Sequence, residues 1–422
     1  MGLNYTDIKW SLSLVGAAVG VGTLFLPIKA GLLGLWIMII STIVVVPMIF
    51  IVHRVITRFI LSNTTHDANI IDSVEAHLGK VYRNIFTILY SIAIWPSIVV
   101  YGVVVTNTMQ QFLAHQFGYT PLSGIMFLGA PVFRIILSGI LVLILTLCMI
   151  VPRKYLLNLT SLLVYPLVLV LIGIGIYMIP HWNLSSAHKT ITLSEIPSGL
   201  WSSLPMFIFA FTFVSPLSQF SLFQRARYKE RVVKKTDKII LLTVILVSAI
   251  ILFFTYSIVL GLTPHNLIVA RGENATILTY LANVTDSKFL QYLGPIIALL
   301  AIATSYFAVF QGAREGASGI IHQYTPIKNK STSFKISTIF LLFLAWLGGI
   351  YNPSITHIIG LFSGPSFVLF AIITPLYAMY KVKAVRELRV STPAILLLII
   401  CGLLLLINAG DSLYNNLLIN LF

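Results

Sequence analysis

Apolar residues run along this chain in long stretches separated by short polar clusters. The stretches are roughly 8–31, 34–60, 84–113, 133–151, 155–179, 199–222, 239–261, 290–321, 337–351, 355–380 and 392–409. About 20 apolar residues in a helix cross the hydrocarbon of a bilayer, and most of these runs reach that length. The pattern predicts an all-α polytopic membrane protein with 11 transmembrane helices. Two runs are interrupted. In residues 14–31, Gly16, Gly20 and Gly22 crowd the middle of the apolar segment and Pro27 follows. Glycine weakens a helix interior by about 1 kcal/mol relative to alanine and proline by about 3. In the sixth run, Pro216 follows Ser215 among Thr212, Phe213 and Ser218, and a proline there removes a helix hydrogen bond.

A bilayer tolerates an unwound backbone only where protein or a polar cavity satisfies its N–H and C=O groups. Each interruption by itself has two readings. Gly16 and Gly20 also form a small-residue packing face, and a kinked sixth helix can satisfy itself with its own hydroxyls. The order of the segments weighs against the packing readings. Helices 1–5 (8–180) and 6–10 (199–380) form two groups of five, and an odd number makes the second group enter from the opposite side. The first helix of each group is the broken one, and 392–409 is left as a peripheral extra helix. Matched broken helices in two inverted halves point to a midplane substrate site in a secondary transporter, within a single transporter domain spanning 1–422.

Composition supports a membrane protein and narrows its chemistry. The 422 residues are 58% hydrophobic and only 9% charged, against about 25% charged in a soluble domain. The net charge of +15 does not signal nucleic acid, because its placement follows the positive-inside rule. With a cytoplasmic N-terminus, Lys9, Arg54, Arg58, Arg153, the seven basic residues between Arg225 and Lys238, Lys383, Arg386 and Arg389 all fall inside. Only Arg134, Lys189, Arg271 and Lys288 fall outside, and the C-terminus faces outside. The first apolar run is too long, and lacks the basic lead-in, for a cleavable leader. Cys148 and Cys401 both sit in apolar runs, so neither a disulfide nor a metal site is expected. No phosphate loop, zinc helix or nucleophile elbow is present. The twelve carboxylates, among them Asp67, fall in loops or at helix ends apart from Glu315, so enzymatic acid–base work inside the membrane is not expected. Arg314 and Glu315 read as interfacial or gate ion-pair partners. Tyr101 and Asn107 lie at membrane depth on the third helix, where a polar group needs a partner; they line a site or bond between helices.

The run from Trp10 to Gly31, Tyr101-Gly-Val-Val-Val-Thr-Asn-Thr108, Ser215-Pro216, Leu278-Thr-Tyr-Leu-Ala-Asn283 and Gly312-Ala-Arg-Glu-Gly316 resemble the bacterial hydroxy and aromatic amino acid permeases of the amino acid–polyamine–organocation superfamily. The serine/threonine permease branch is the most similar. The resemblance covers about residues 7–380 and implies the five-plus-five inverted repeat of the leucine-transporter fold, with alternating access in the bacterial inner membrane. It implies a substrate site built from Ala18, Val19, Gly20, Val21 and Gly22, which would take the amino acid's carboxylate, with Thr212, Phe213 and Ser215 near its ammonium, Tyr101 closing over it and Asn107 nearby. The sequence departs from that branch at two places. Phe213-Val214 stand where Asn-His commonly precedes the Ser-Pro, and Thr304-Ser305-Tyr306 stand where a Lys-Ser-Phe run is common. The latter resembles the sodium site of the leucine-transporter fold, with hydroxyls of Thr304 and Ser305 joining carbonyls of Gly16, Val19 and Ala301. Five neutral oxygens suit a hard cation. The expectation is therefore symport of a small neutral or hydroxy amino acid such as serine or threonine, coupled to Na+ in preference to H+, with no organic cofactor and with the bilayer as partner. A proton-coupled aromatic amino acid permease and a non-transporting sensor of the same fold are the alternatives.

Overall fold

A computed structural model of the chain describes residues 2–63, 65, 68–119, 126–127, 129–150, 153–184, 192–285, 287–381 and 390–414. Of the residues singled out above, Asp67, Lys189, Lys383, Arg386 and Arg389 lie outside that set. The chain opens with α1 (Tyr5–Ala18), started by a reciprocal cap. The Asn4 side chain accepts the Asp7 N–H at 3.0 Å and the Asp7 carboxylate accepts the Asn4 N–H at 3.0 Å. After Val19 and Gly20 the chain resumes as α2 (Val21–Leu33), bent 50° from α1. Val19 (φ −75°, ψ 82°) and Gly20 (φ −146°, ψ −142°) are the non-helical residues. The break therefore precedes Pro27, which is accommodated inside α2.

The next elements are α3 (Leu35–Leu61), the short α4 (Ile70–Leu78) and the 38-residue α5 (Lys80–Phe117). A two-stranded hairpin, β1 (Met126–Phe127) with β2 (Ala130–Pro131), leads into α6 (Val132–Leu147) and α7 (Arg153–Met178). The second broken element is α8 (Glu195–Phe211) followed by α9 (Leu217–Tyr228), with Thr212 to Pro216 between them. Then come α10 (Val232–Gly261), α11 (Pro264–Gly272), α12 (Ile277–Val284), α13 (Lys288–Tyr324) and α14 (Lys330–Tyr351). From Ile355 to Lys381 short α segments alternate with π turns at Ile359–Ser363 and Val368–Ile373. The last helix, α15, is Thr392–Leu413. Helix takes up most of the described part of each apolar run, the two breaks apart. The stretch after α10, which lies between two apolar runs, folds into two short helices capped by Thr263 and Thr276.

Seven described stretches are long and apolar enough to cross a membrane, and the bent α1–α2 pair makes an eighth. The chain is a multi-pass membrane protein. Its centre is crowded because glycines let backbones meet. A Cβ on Gly22 would sit 2.5 Å from Ala210 Cα, one on Gly102 would overlap the Ala345 carbonyl, and one on Gly316 would lie 2.7 Å from Ser91 Oγ. These contacts hold α2 on α8, α5 on α14 and α13 on α5.

At the N-terminal face the basic cluster after α9 does more than mark orientation. Lys235 is 4% exposed and its Nζ lies 3.0 Å from Oδ2 of Asp7, which is 0% exposed; it also donates to the Gly2 carbonyl at 2.7 Å. The Tyr228 hydroxyl donates to Asp7 Oδ1 at 2.7 Å. One carboxylate on α1 is thus tied to α9 and α10. A neighbouring tie joins α3 to α10, where Arg58 meets Asp237 through both nitrogens Nε and Nη2.

Candidate functional site

The two breaks meet. Gly22, in the first turn of α2, lies against Phe209 and Ala210 at the end of α8. The first N–H groups of α2 and the last carbonyls of α1 lack helix partners by construction; the first bond of α2 is Leu24 N–H to the Gly20 carbonyl at 3.2 Å, and across the break the Thr23 hydroxyl donates to the Ala18 carbonyl at 3.5 Å. Beside them is a cavity of about 60 Å3 lined by both breaks, by α5 and by α13. That is four to six times the ~10–15 Å3 a single water needs. The cavity is bounded by an N-terminal helix end, which favours an anion, and by a C-terminal end, which favours a cation.

Of the residues expected at the substrate site, Ala18, Val21, Gly22, Tyr101, Thr212 and Ser215 line this cavity. Thr212 caps the end of α8 in an extended conformation, and its buried Oγ1 has no hydrogen-bond partner. A hydroxyl left unpaired beside a cavity is where a ligand would repay the desolvation. Tyr101 is 3% exposed and its ring meets Tyr306 edge-on at 5.7 Å. Tyr306 in turn shares a 2.9 Å hydrogen bond with Thr146 of α6. Ser215 packs on α13 at Gly312, where an added Cβ would come within 3.0 Å of it.

Val19, Gly20, Phe213 and Asn107 are placed elsewhere. Val19 and Gly20 form the hinge itself and lie behind the cavity, with Gly20 pressed so closely on Ser305 that a Cβ would overlap its side chain. Phe213 turns away and stacks on His53 at 3.9 Å between ring centroids. Asn107 departs furthest from expectation. Its amide donates to the Asn274 carbonyl at 3.0 Å and to Asn352 Oδ1 at 2.9 Å, while its oxygen accepts from Arg134 at 2.8 Å. It ties α5 to α6, α14 and the loop before α12 instead of facing a ligand, the interhelical reading of the two left open above. Arg134, counted above only among the outer-side charges, is 8% exposed and donates also to Gln110 and to the Ile350 carbonyl.

Of the five positions resembling a sodium site, Gly16 lies beside Thr304, and Gly20, the residue after Val19, lies beside Ala301 and Ser305. A Cβ on Gly16 would lie 3.9 Å from Thr304 Cβ, and one on Gly20 would lie 3.4 Å from the Ala301 carbonyl oxygen. The Thr304 hydroxyl donates to the Leu300 and Ala301 carbonyls at 3.1 Å, and Ser305 Oγ donates to Ala301 at 2.7 Å. Each hydroxyl donates within its own helix, and the Ser305 hydroxyl is also hydrogen-bonded to Tyr101. Among the described residues no cluster of three His, Cys, Asp or Glu side chains could hold a metal ion.

Val214, the second residue of the Phe213-Val214 departure, also lines the cavity, as do Ser97, Ile94, Phe209 and Phe367, which the sequence does not mark as site residues. Ser97 follows Trp95-Pro96 and was masked by them. His53, next to Arg54 in the sequence and not singled out there, is fully buried, and its Nε2 accepts the Phe213 N–H at 2.9 Å.

No family model matches the chain. It is 36% identical over 393 residues to the serine transporter SdaC of Escherichia coli K12, covering 90% of this chain and 89% of that protein. It is 31% identical over 430 residues to the threonine/serine transporter TdcC of Yersinia enterocolitica, covering 96% and 95%. Its fold is similar to the crystal structure of MhsT in complex with L-phenylalanine, with TM-score 0.64, 13% identity and coverage of 96% and 98%. The architecture is thus of the leucine-transporter type. Extended identity to these relatives, on a chain whose two broken helices meet at a cavity, shows that it belongs to the hydroxy and aromatic amino acid permease family.

Proposed function

We propose that this protein is a secondary transporter, not an enzyme, that carries a small neutral or hydroxy amino acid across the bacterial inner membrane by alternating access. The observation that carries the reading is the cavity between the two helix breaks, with the unpaired Thr212 hydroxyl beside it. The amino acid's carboxylate sits on the N-terminal end of α2 around Val21 and Gly22, and its ammonium near Thr212 and the carbonyls that end α1 and α8. Relatives named for serine and threonine transport support a substrate of that class, and so does the small cavity volume. The eleven apolar runs are the membrane spans, arranged as 8–180 and its inverted counterpart 199–380 with 392–409 outside the repeat. The N-terminus is cytoplasmic and the C-terminus is outside.

Sodium is the coupling ion in this reading. Carbonyls of Gly16, Val19 and Ala301 and hydroxyls of Thr304 and Ser305 supply neutral oxygens, the ligand type a hard cation prefers. The closeness of Gly16 and Gly20 to α13 supports it. Proton coupling is the second reading, favoured by His53 touching the α8–α9 break. Purified protein in proteoliposomes separates them. Uptake from a panel of radiolabelled amino acids is measured with sodium and pH gradients imposed one at a time. Serine or threonine uptake driven by sodium alone is expected. Uptake driven only by a proton gradient would sink the sodium reading, and substrate binding without uptake would leave a sensor.

A further inference from the structure

The α8–α9 break leaves a backbone donor inside the protein, and a side chain from another helix answers it. Thr212 N–H still reaches the Ile208 carbonyl, but Phe213 N–H does not continue the helix. It donates instead to Nε2 of His53 on α3 at 2.9 Å, 160 residues away in sequence. The other ring nitrogen, Nδ1, is 2.7 Å from the Ile49 carbonyl, one turn earlier on α3. A carbonyl oxygen carries no proton, so Nδ1 must hold the hydrogen, and Nε2 must be the bare acceptor. The ring is fully buried and lies over the Phe213 ring at 3.9 Å and 36°. His53 does not line the cavity, whereas Thr212, the residue before its partner, does.

We propose that His53 is a positioning residue for substrate binding: its neutral Nδ1–H tautomer holds the Phe213 N–H and thereby sets the extended turn that presents Thr212 to the cavity. This rests on the transport reading above, but the assignment concerns one bond that can be read separately. Helix α3 contributes the acceptor, Ile49 fixes the tautomer, and Phe213 closes the pair from above. Without the acceptor, the Phe213 N–H must find a partner within its own break, and Thr212 moves with it.

The test compares His53→Gln, His53→Asn and His53→Leu. A glutamine carbonyl reaches about as far as Nε2, whereas an asparagine amide stops near the position of Nδ1. Proteoliposome uptake should show a KM within about threefold of wild type for His53→Gln. His53→Asn and His53→Leu should raise KM about tenfold or more while the maximal rate falls less. Folding of each variant is followed by size-exclusion chromatography, and His53→Asn keeps the test open if His53→Leu does not fold. Asparagine and leucine variants with wild-type KM would overturn the assignment. As a second readout, protein labelled with 15N-histidine should give a resonance, absent in His53→Gln, of a ring bearing its proton on Nδ1. A proton on Nε2 would overturn the assignment even if transport fails in every variant. No uptake by wild type together with the Nδ1–H signature would instead reject the transport reading and leave the bond standing.

Discussion

At the scale of single residues, the site depends on polar atoms whose partners are absent or already spoken for. Thr212 Oγ1 is unpaired at the cavity. Removing it with Thr212→Val should weaken substrate binding by about 1 kcal/mol, or about fivefold in KM, the size of one ordinary hydrogen bond. Uptake kinetics check this; an unchanged KM means that the hydroxyl does not meet the substrate. Thr304 has lone pairs to offer because its proton is used within α13. Thr304→Lys places an ammonium there and should abolish stimulation by sodium, with uptake across a range of sodium concentrations as the measurement. Sodium dependence that survives this change removes the cation site from these residues. Tyr101, Thr212 and Ser215 could be picked out of the sequence because a hydroxyl inside an apolar run has to be explained. Asn107 drew the same attention for the same reason. Whether its partner is a ligand or Arg134 is a question of distance, not of residue type.

At the scale of elements, the breaks are tight joints. Gly20 faces Ser305 and Gly22 faces the backbone of Ala210, so a methyl group at either pushes a neighbouring helix. Gly22→Ala meets backbone and should force α2 from α8. Gly20→Ala would place its Cβ in overlap with Ser305 Cβ, which no side-chain rotation moves, and should force the break from α13. Thermal unfolding in detergent together with uptake checks both: each variant is expected to unfold at a lower temperature and to transport less, and wild-type stability at either position would show that the helices there can part without cost. Asp7 ties the first half of the broken span to α9 and α10. Asp7→Asn leaves Lys235 buried without its counter-ion, a loss of about 3 kcal/mol for a buried pair, read as a lowered unfolding temperature. A temperature equal to wild type would show the pair to be solvated.

At the scale of the molecule, the reading requires the two chain ends to lie on opposite faces. Gly2 and Tyr414 are both among the described residues and exposed. With Cys148 and Cys401 replaced by serine, Gly2→Cys and Tyr414→Cys variants can be tested with a membrane-impermeant maleimide on intact cells. Labelling at 414 and not at 2 is expected. The reverse would invert the whole topology, and with it the assignment of α2 as the outward half of its span. Two of the longest helices, α5 and α13, have 38 and 37 residues. At about 1.5 Å per residue they measure nearly twice the ~30 Å of hydrocarbon, so they project beyond the membrane and carry the contacts with the connecting helices.

Much of this was legible in the order of residues alone. Long apolar runs can only be buried as helices in a bilayer, and glycine beside proline marks where such a helix is expected to yield, so the helical architecture and both interruptions followed from composition and spacing. What the sequence could not decide was which residue yields and what faces what. Pro27 looked like part of the first break but sits within α2 as its seventh residue, where it removes the helix bond to the Thr23 carbonyl without ending the helix. His53 carries no local signal, yet it closes the second break, because a bond across 160 residues depends on how α3 packs against the α8–α9 junction. Local pattern determines elements through forces acting within a few residues. The cavity, its unpaired hydroxyl and the histidine that shapes it come from distances between helices, and only the packed structure sets those.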